Sequence, residues 1–249
     1  MSAVVEFRNV GYQVGGREIL RDLTFSVSSG ETLVLLGRSG SGKTTALKMV
    51  NNLLSPTAGG VFVEGQPTAS WDPIRLRRRI GYVIQEGGLF PHFTVAENVG
   101  LVPRLEGWTP QRTASRVNEL LDRVGLPPGE FAARYPRELS GGQQQRVGVA
   151  RALAADPPVL LFDEPFGALD PVTRLELQRQ FIAMRRNFSK TAIFVTHDVR
   201  EALMLANRVG LLRQGRLELL QPPAEFVRAR GEEVEAFLAC LDWKTEDGI

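Results

Sequence analysis

The chain has 249 residues, of which 43% are hydrophobic and 23% are charged. A chain of this size can bury a substantial core, as one large or two small domains. Thirty Lys and Arg residues against 28 Asp and Glu residues leave a formal net charge of +2, so the charge balance nominates neither nucleic acid nor a membrane surface as a partner. The single cysteine, Cys240, excludes an internal disulfide framework and fits a reducing compartment.

No apolar run in the sequence approaches the roughly 18 residues needed to cross a bilayer. Residues 1–9 also lack the charged and apolar regions of a signal peptide. We therefore expect any membrane attachment to come through another protein.

The first part of the chain predicts β-structure, followed by a helix. Three short segments are typical of strands, at residues 4–10, 23–27 and 32–36. Gly15-Gly16 and the turn ending at Gly30 separate them. From Lys43 onward, apolar residues recur at helical spacing, and this pattern ends before Pro56, where proline disfavours further helix.

The second half alternates strands with helices. Three apolar runs suit buried parallel strands, at residues 159–162, 192–195 and 209–212, and a helical stretch covers residues 171–188. This alternation predicts an α/β core. Helix signals without strand signals, at residues 110–124 and 141–155, fall between these two halves. We expect a core of residues 1–85 and 156–249 interrupted by a helical subdomain of residues 86–155.

A phosphate-binding pattern joins the third predicted strand to the first predicted helix. Residues 37–44 match G-x-x-x-x-G-K-[ST]. Glycines let successive N–H groups point at phosphate oxygens, and the positive end of the helix dipole faces the same anion. We expect Lys43 to neutralise the β- and γ-phosphates of ATP and the Thr44 hydroxyl to bind Mg²⁺. The predicted nucleotide contacts are Gly37, Arg38, Ser39, Gly40, Ser41, Gly42, Lys43, Thr44 and Thr45.

Two carboxylates follow the apolar run at residues 159–162. They come at the C-terminal end of a buried strand, where open α/β sheets bind ligands. Asp163 suits the coordination shell of Mg²⁺, and Glu164 can polarise the water that attacks the γ-phosphate. Many strands simply leave the core at acidic residues, but the phosphate-binding pattern upstream favours the functional interpretation.

The segment Leu-Ser-Gly-Gly-Gln-Gln-Gln-Arg at residues 139–146 resembles the signature motif of ABC ATPases. Ser140 is a good helix N-cap, and Gly141 and Gly142 leave the helix N-terminus open to an anion. Capping alone does not require two glycines and Gln143. The resemblance covers nearly the whole chain, and it implies an α/β fold: a P-loop NTPase (RecA-like) core with an N-terminal antiparallel β subdomain and an inserted helical subdomain that carries the signature.

Further motifs resemble the family in the expected order. Gln85 resembles the Q-loop glutamine, Ala168-Leu169-Asp170 the D-loop, and His197 the switch histidine. The resemblance implies that His197 contacts the γ-phosphate and holds Glu164, and that Gln85 senses Mg²⁺ or water. It also implies a homodimer, in which the signature of one subunit covers the ATP bound by the other.

The adenine contact departs from the family pattern. The family stacks adenine on an aromatic residue of the first strands, and the aligned position here is Val14. Tyr12 lies two residues earlier on the same face of the strand. Tyr12 either supplies the ring or is a half-buried strand tyrosine, and both interpretations stay open.

Importer ATPases resemble this chain more than exporters do, and within them the glycine betaine/choline osmoprotectant group is the most similar. Residues 135–138, before the signature, carry the likeness to importers, and residues 80–85, 88–98, 101–103 and 107–108 carry the likeness to the osmoprotectant group. The resemblance implies integral membrane permease subunits as partners, an extracytoplasmic solute-binding protein as an indirect partner, and a peripheral position on the cytoplasmic face of the membrane. It implies no nucleic-acid partner. Many members carry a C-terminal regulatory extension, and we expect this chain to lack one.

Other functions share these motifs. An ABC ATPase that acts on nucleic acid or assembles cofactors would carry the same loops without recruiting a permease. Compact ATPases of this kind also serve phospholipid trafficking between bacterial membranes and amino-acid import. We therefore expect an importer ATPase with ATP and Mg²⁺, and these alternatives require a test.

Overall fold

A computed structural model of the chain describes residues 3–85, 88–167, 169–188 and 190–241. The strands are β1 (Ala3–Val14), β2 (Arg17–Ser28), β3 (Thr32–Leu36), β4 (Ala58–Val63), β5 (Gln66–Pro67), β6 (Ile80–Val83), β7 (Val159–Asp163), β8 (Thr191–Thr196), β9 (Arg208–Arg213) and β10 (Arg216–Gln221). The α-helices are α1 (Lys43–Val50), α2 (Pro73–Arg78), α3 (Val95–Val99), α4 (Leu101–Leu105), α5 (Pro110–Arg123), α6 (Pro128–Phe131), α7 (Gly141–Leu153), α8 (Pro171–Phe188), α9 (Val199–Leu205), α10 (Pro223–Phe226) and α11 (Glu232–Ala239). Among the described residues, one compact unit comprises residues 3–69 and 193–241, and a second comprises those between 70 and 192.

The first unit contains the expected antiparallel β subdomain. Its strand order is β2-β1-β4-β5. Gly15 and Gly16 connect β1 to β2 with φ angles of 56° and 77°, the two positive values that a two-residue type I′ turn requires. Phe7 and Phe25 stack with ring centroids 4.4 Å apart, from paired positions on the two strands. Both strands extend beyond the predicted segments because the tight turn lets them pair up to its edge.

The first unit also contains part of a parallel sheet, in the order β10-β9-β3-β8. Strand β9 pairs in parallel with β3, with Val34 opposite Val209, and β10 returns antiparallel to β9. All five residues of β3 are buried, as expected for a central strand covered on both faces. The phosphate-binding pattern begins directly after this strand.

The second unit contains β6 and β7, which pair in parallel with Gly81 opposite Leu160. Helix α7 lies against β6 so closely that a Cβ atom on Gly81 would meet the Ala152 carbonyl oxygen at 2.3 Å. Helix α5 begins after the N-cap Thr109 and α8 covers residues 171–188, both as predicted. Helix α7 ends two residues before the predicted boundary, and Asp156 follows with a positive φ of 55°. None of the helices in the described part of the chain combines the length and apolarity that crossing a bilayer requires.

Candidate active site

Three glycines shape the loop of residues 37–44, which joins β3 to α1. Gly40 and Gly42 have φ angles of 78° and 103°, in the left-handed region that favours glycine. A Cβ atom on Gly37 would lie 2.4 Å from the Leu212 carbonyl oxygen. The pattern of glycines read from the sequence is therefore required by the geometry of the loop itself.

Lys43 is buried beneath this loop. Its Nζ donates to the carbonyl oxygens of Gly37 and Arg38, at 2.7 Å and 3.0 Å. Helix α1 begins at Lys43, and its N-cap Gly42 has no side chain to accept from the first-turn N–H groups. An ammonium group beside an N-terminus without a side-chain cap is an arrangement that attracts a phosphate.

Ser41 tests whether the loop fits a phosphate. Its side chain is buried, and its Oγ has no hydrogen-bond partner among the described residues. Buried hydroxyls are normally hydrogen-bonded, and a phosphate oxygen is an acceptor of the right kind. On this observation the loop fits the phosphates of a nucleotide.

The end of the β1–β2 hairpin lies next to the phosphate loop. Tyr12 pairs with Leu20 across the hairpin, and a Cβ atom on Gly42 would come within 2.6 Å of Leu20 Cδ2. The Tyr12 side chain is half-buried and that of Val14 is 56% exposed. Both residues therefore stay candidates for the adenine contact.

A hydrogen-bonded turn carries His197 after β8 in the first unit. Thr196 Oγ1 donates to Glu201 Oε2 at 2.6 Å, and both groups are buried. Asp198 N donates to Thr196 Oγ1, and the Asp198 carboxylate accepts from the N–H groups of Arg200 and Glu201 at the start of α9. These bonds fix the backbone on both sides of His197, which is exposed.

In the second unit, Asp163 ends the buried strand β7 and is itself buried. Tyr82 of β6 donates its hydroxyl hydrogen to Asp163 Oδ2 at 3.1 Å. Burial, followed by the negative charge of Asp163, raises the pKa of Tyr82 above its ordinary value of 10.0. Tyr82 therefore stays protonated and keeps donating. No motif in the sequence assigns Tyr82 a role, and the one signal that points to it is its place three residues before Gln85.

Glu164 has a strained backbone and lies near Gln85. Its φ is +44°, a left-handed value that is uncommon outside glycine and is concentrated at functional sites. A Cβ atom on Gly167 would lie 3.7 Å from Glu164 Oε2 and 3.9 Å from Gln85 Nε2. The fold thus brings the ends of these two side chains to the same glycine.

The signature segment starts α7 with a capping box. Gln143 N donates to Ser140 Oγ at 3.3 Å, and Ser140 N donates to Gln143 Oε1 at 2.9 Å. A Cβ atom on Gly142 would lie 2.5 Å from Thr173 Cγ2, whereas one on Gly141 would meet nothing within 4 Å. Packing against α8 therefore explains why residue 142 has no side chain. No contact with the described residues requires a glycine at position 141.

Asp170 caps α8 beside the signature segment. Its Oδ1 accepts from the N–H groups of Val172 and Thr173, at 3.1 Å and 3.0 Å. Hydrogen bonds with Thr173, first from its side chain and then from its backbone, lower the pKa of Asp170. Thr173 therefore joins the D-loop residue to Gly142. Ala168 lies outside the described residues.

A groove of about 260 Å³ lies beside β6 in the second unit. Its apolar walls include Ile80, Phe90, Leu101 and Val102. Buried Asn98 fixes the loop that carries Phe90, because it bonds to both the N–H and the carbonyl of Phe90. The segment at residues 88–98 thus forms an ordered wall of a surface groove.

A fully buried strand, a glycine loop and a lysine at the first turn of a helix define a P-loop nucleotide-binding protein. Comparison with known proteins narrows this class. The protein-family model described as "ABC transporter" matches residues 20–167, more than half of the chain. The chain belongs to the ABC transporter family.

Two relatives illustrate the similarity. The choline transport ATP-binding protein OpuBA of Bacillus subtilis is 48% identical over 225 residues, which cover 90% of this chain and 59% of the relative. The osmoprotectant import ATP-binding protein OsmV of Salmonella typhimurium is 52% identical over 214 residues, covering 83% of this chain and 56% of the relative. This chain therefore spans less than two thirds of the length of these two relatives.

Among solved structures, a dimeric post-hydrolysis state of the ATP-binding cassette MJ0796, bound to ADP and Pi, superposes with a TM-score of 0.78. Its sequence identity to this chain is 33%, and the match covers 92% of this chain and 100% of the other. This similarity confirms the predicted fold class.

Proposed function

We propose that this chain binds and hydrolyses ATP and that it powers an ABC importer for a small osmoprotectant such as glycine betaine or choline. The observation that supports ATP binding is the structure of the phosphate loop. Its buried lysine, its helix N-terminus without a side-chain cap and the unpartnered hydroxyl of Ser41 all suit an anion of several phosphate oxygens.

Hydrolysis needs a group that positions and polarises the attacking water. Glu164 is the candidate, because it follows the buried strand and its strained backbone holds the carboxylate close to Gln85. Lys43 stabilises negative charge on the β- and γ-phosphates. We expect His197, on its hydrogen-bonded turn, to contact the γ-phosphate.

The oxygen donors expected to bind Mg²⁺ are the hydroxyl of Thr44, the side-chain oxygen of Gln85 and the carboxylate of Asp163. Hard oxygen donors of these kinds suit this ion. When bound, Mg²⁺ would neutralise charge on the β- and γ-phosphates. Tyr82 orients the Asp163 carboxylate through the hydrogen bond at 3.1 Å.

Two copies of the chain form the working unit. Ser140 and Gly141 are exposed, and Gly141 leaves open space at a helix start where a side chain would otherwise stand. We expect this start to approach the γ-phosphate held by the second copy, with Gly142 and Gln143 shaping it and Asp170 beside it. The dimeric state named for MJ0796 supports this arrangement.

Import, with an osmoprotectant as cargo, is supported by the names of OpuBA and OsmV, which concern choline and osmoprotectants. The groove beside Phe90 would receive a helix of the permease, because it is apolar and its loop is ordered by Asn98. The chain would then lie on the cytoplasmic face of the membrane without crossing it. The solute-binding protein would act on the other side, through the permease.

The experiment is to purify the chain from its native membranes, identify its partners by mass spectrometry, and measure ATP hydrolysis with and without betaine and the partner binding protein. Betaine-stimulated hydrolysis with a permease present supports the whole proposal. A permease without stimulation by betaine contradicts the cargo alone.

Other outcomes point to the alternatives. Lipid that copurifies with the complex would favour phospholipid trafficking over import of a solute. The absence of any membrane protein would contradict transport and favour an ABC ATPase that acts elsewhere. Replacing Phe90 with Ser should release the permease while leaving ATP binding unchanged, and Leu105→Ser, at an exposed apolar residue that does not line the groove, is the matched control.

A further inference from the structure

Arg38, the second residue of the phosphate loop, is paired with the C-terminal helix α11. Its Nε donates to Glu233 Oε1 at 2.7 Å, across 195 residues of sequence. The Glu233 side chain is 6% exposed, whereas that of Arg38 is 69% exposed. A buried carboxylate depends strongly on its cationic partner. Glu233 is therefore fixed within the fold, and Arg38 is the exposed side chain that it holds.

The backbone of Arg38 takes part in the structure of the phosphate loop. Its carbonyl oxygen accepts from Lys43 Nζ at 3.0 Å and from Ser41 N at 3.2 Å. A hydrogen bond that holds the Arg38 side chain restricts rotation of this residue. A continuous set of contacts therefore runs from Glu233 through Arg38 to Lys43.

The surroundings leave room for the loop to move if this contact is lost. A cavity of about 310 Å³ lies between the loop and α11. Its charged side chains pair with each other: Arg38 with Glu233 at 2.7 Å, and Arg213 with Glu232 at 3.1 Å and with Glu233 at 3.9 Å. These pairs balance the charge, so the cavity does not require an ionic ligand. Its empty volume is adjacent to the residues that form the loop.

We propose that Glu233 is a positioning residue for the phosphate loop and acts through Arg38. This inference rests on the proposed function of the loop in binding ATP. A loop already held in its binding conformation loses less conformational entropy when the nucleotide binds. Glu233 therefore strengthens ATP binding without touching the nucleotide, and the C-terminal helix becomes part of the nucleotide site.

The test compares Glu233→Gln with Glu232→Gln. Both changes remove one negative charge from the same helix, but Glu232 is 82% exposed and pairs with Arg213. We expect Glu233→Gln to speed hydrogen exchange at the amides of residues 38–41 in the nucleotide-free protein. We also expect it to raise the KM for ATP about three- to tenfold, a range typical of contacting residues, with little change in kcat. Glu232→Gln should change neither quantity.

Arg38→Ala breaks the same contact from its exposed side, so it serves even if Glu233→Gln folds poorly. The double variant, Glu233→Gln with Arg38→Ala, should have a KM for ATP no higher than that of the more impaired single variant. Arg38→Lys keeps a cationic donor, so its KM and exchange rates should lie between those of the wild type and Arg38→Ala. Unchanged exchange in both Glu233→Gln and Arg38→Ala would overturn the proposal, as would an equal effect from Glu232→Gln.

The exchange measurement needs no nucleotide. If the wild-type chain does not hydrolyse ATP, the proposed function fails, and the exchange rates still decide whether Glu233 positions the loop. If the wild type hydrolyses ATP and the variants match it in both measurements, only the positioning role is wrong.

Discussion

The hydroxyl of Tyr82 donates to the carboxylate of Asp163 at 3.1 Å, between two adjacent parallel strands. Tyr82 is opposite Leu161 in the register of β6 and β7, two residues before Asp163. The contact therefore runs along the strands toward the end of β7. It orients a buried carboxylate that is expected to bind Mg²⁺. No sequence motif predicts this hydrogen bond.

Tyr82→Phe should alter the dependence of stability on pH. The pKa of Tyr82 is raised above 10.0 in the folded chain, so above about pH 10 the unfolded chain loses this proton first. The stability linked to Tyr82 is therefore fully present below that pH and is lost as pH rises through the folded pKa. We expect the wild type to lose more free energy of unfolding than Tyr82→Phe between about pH 9 and about pH 11.

Urea denaturation at several pH values measures this difference. At neutral pH the variant should be less stable by about 1 kcal/mol, the usual net value of one hydrogen bond. Tyr135→Phe removes an exposed hydroxyl from the same unit and controls for the chemical change. Identical pH profiles for wild type and Tyr82→Phe would contradict the link between Tyr82 and Asp163.

Glu164→Gln should separate ATP binding from hydrolysis. The amide keeps the shape of the side chain but cannot polarise water as a carboxylate does, so we expect kcat to fall by roughly 10² to 10⁴. Binding of MgATP and ATP-dependent dimerisation should persist, as measured by equilibrium dialysis and size-exclusion chromatography. Glu130→Gln, at an exposed carboxylate of α6 that pairs with Arg134, is the control. If Glu164→Gln keeps the wild-type kcat, Glu164 is not the residue that polarises the water.

Ser140→Ala and Thr94→Ala should destabilise the fold alike but differ in activity. Each residue closes a capping box at the start of a helix in the second unit, and loss of such a cap costs about 1 kcal/mol. Only Ser140 belongs to the signature segment. We expect ATP hydrolysis to fall in Ser140→Ala and to stay near the wild-type rate in Thr94→Ala, at a temperature where both variants are folded. Equal rates of hydrolysis by the two variants would show that Ser140 only caps α7 and has no role in hydrolysis.

Gly141→Ala should leave the fold intact and weaken the dimer. A Cβ atom at Gly141 meets nothing within 4 Å among the residues that the structure describes, and the same holds for Gly129. Neither change should lower thermal stability measurably. If the signature of one subunit covers the nucleotide of the other, only the Gly141 variant should lose ATP-dependent dimerisation, as measured by light scattering. Normal dimerisation by this variant would contradict a close approach at this glycine.

Local sequence predicts much of this fold for identifiable reasons. The segment predicted as a strand at residues 32–36 matches β3 residue for residue, because a central strand buried on both faces is predominantly apolar, here from Leu33 to Leu36. Pro110 and Pro171 mark the first residues of α5 and α8, because proline is favoured at the first helical position. The α/β class and the antiparallel β subdomain are confirmed. The roles of the individual site residues stay predictions.

Other elements have little signal in the sequence. Strand β6 has four residues, and its Gly81 weakens the usual strand pattern. That glycine is explained only by the close approach of Ala152 from α7. Strand β10 alternates between exposed and half-buried residues at the edge of its sheet, and it depends on pairing with β9 more than on its own composition.

The sequence by itself determined the phosphate-binding loop, the carboxylates at the end of β7, the helix cap Ser140 and the family, because each of these depends on residues that are neighbours along the chain. Only the tertiary structure decided which residues support them. Tyr82 reaches Asp163 across 81 residues and Glu233 reaches Arg38 across 195. Contacts of this kind depend on how distant strands and helices pack, and a single sequence carries no pattern that specifies the pairing.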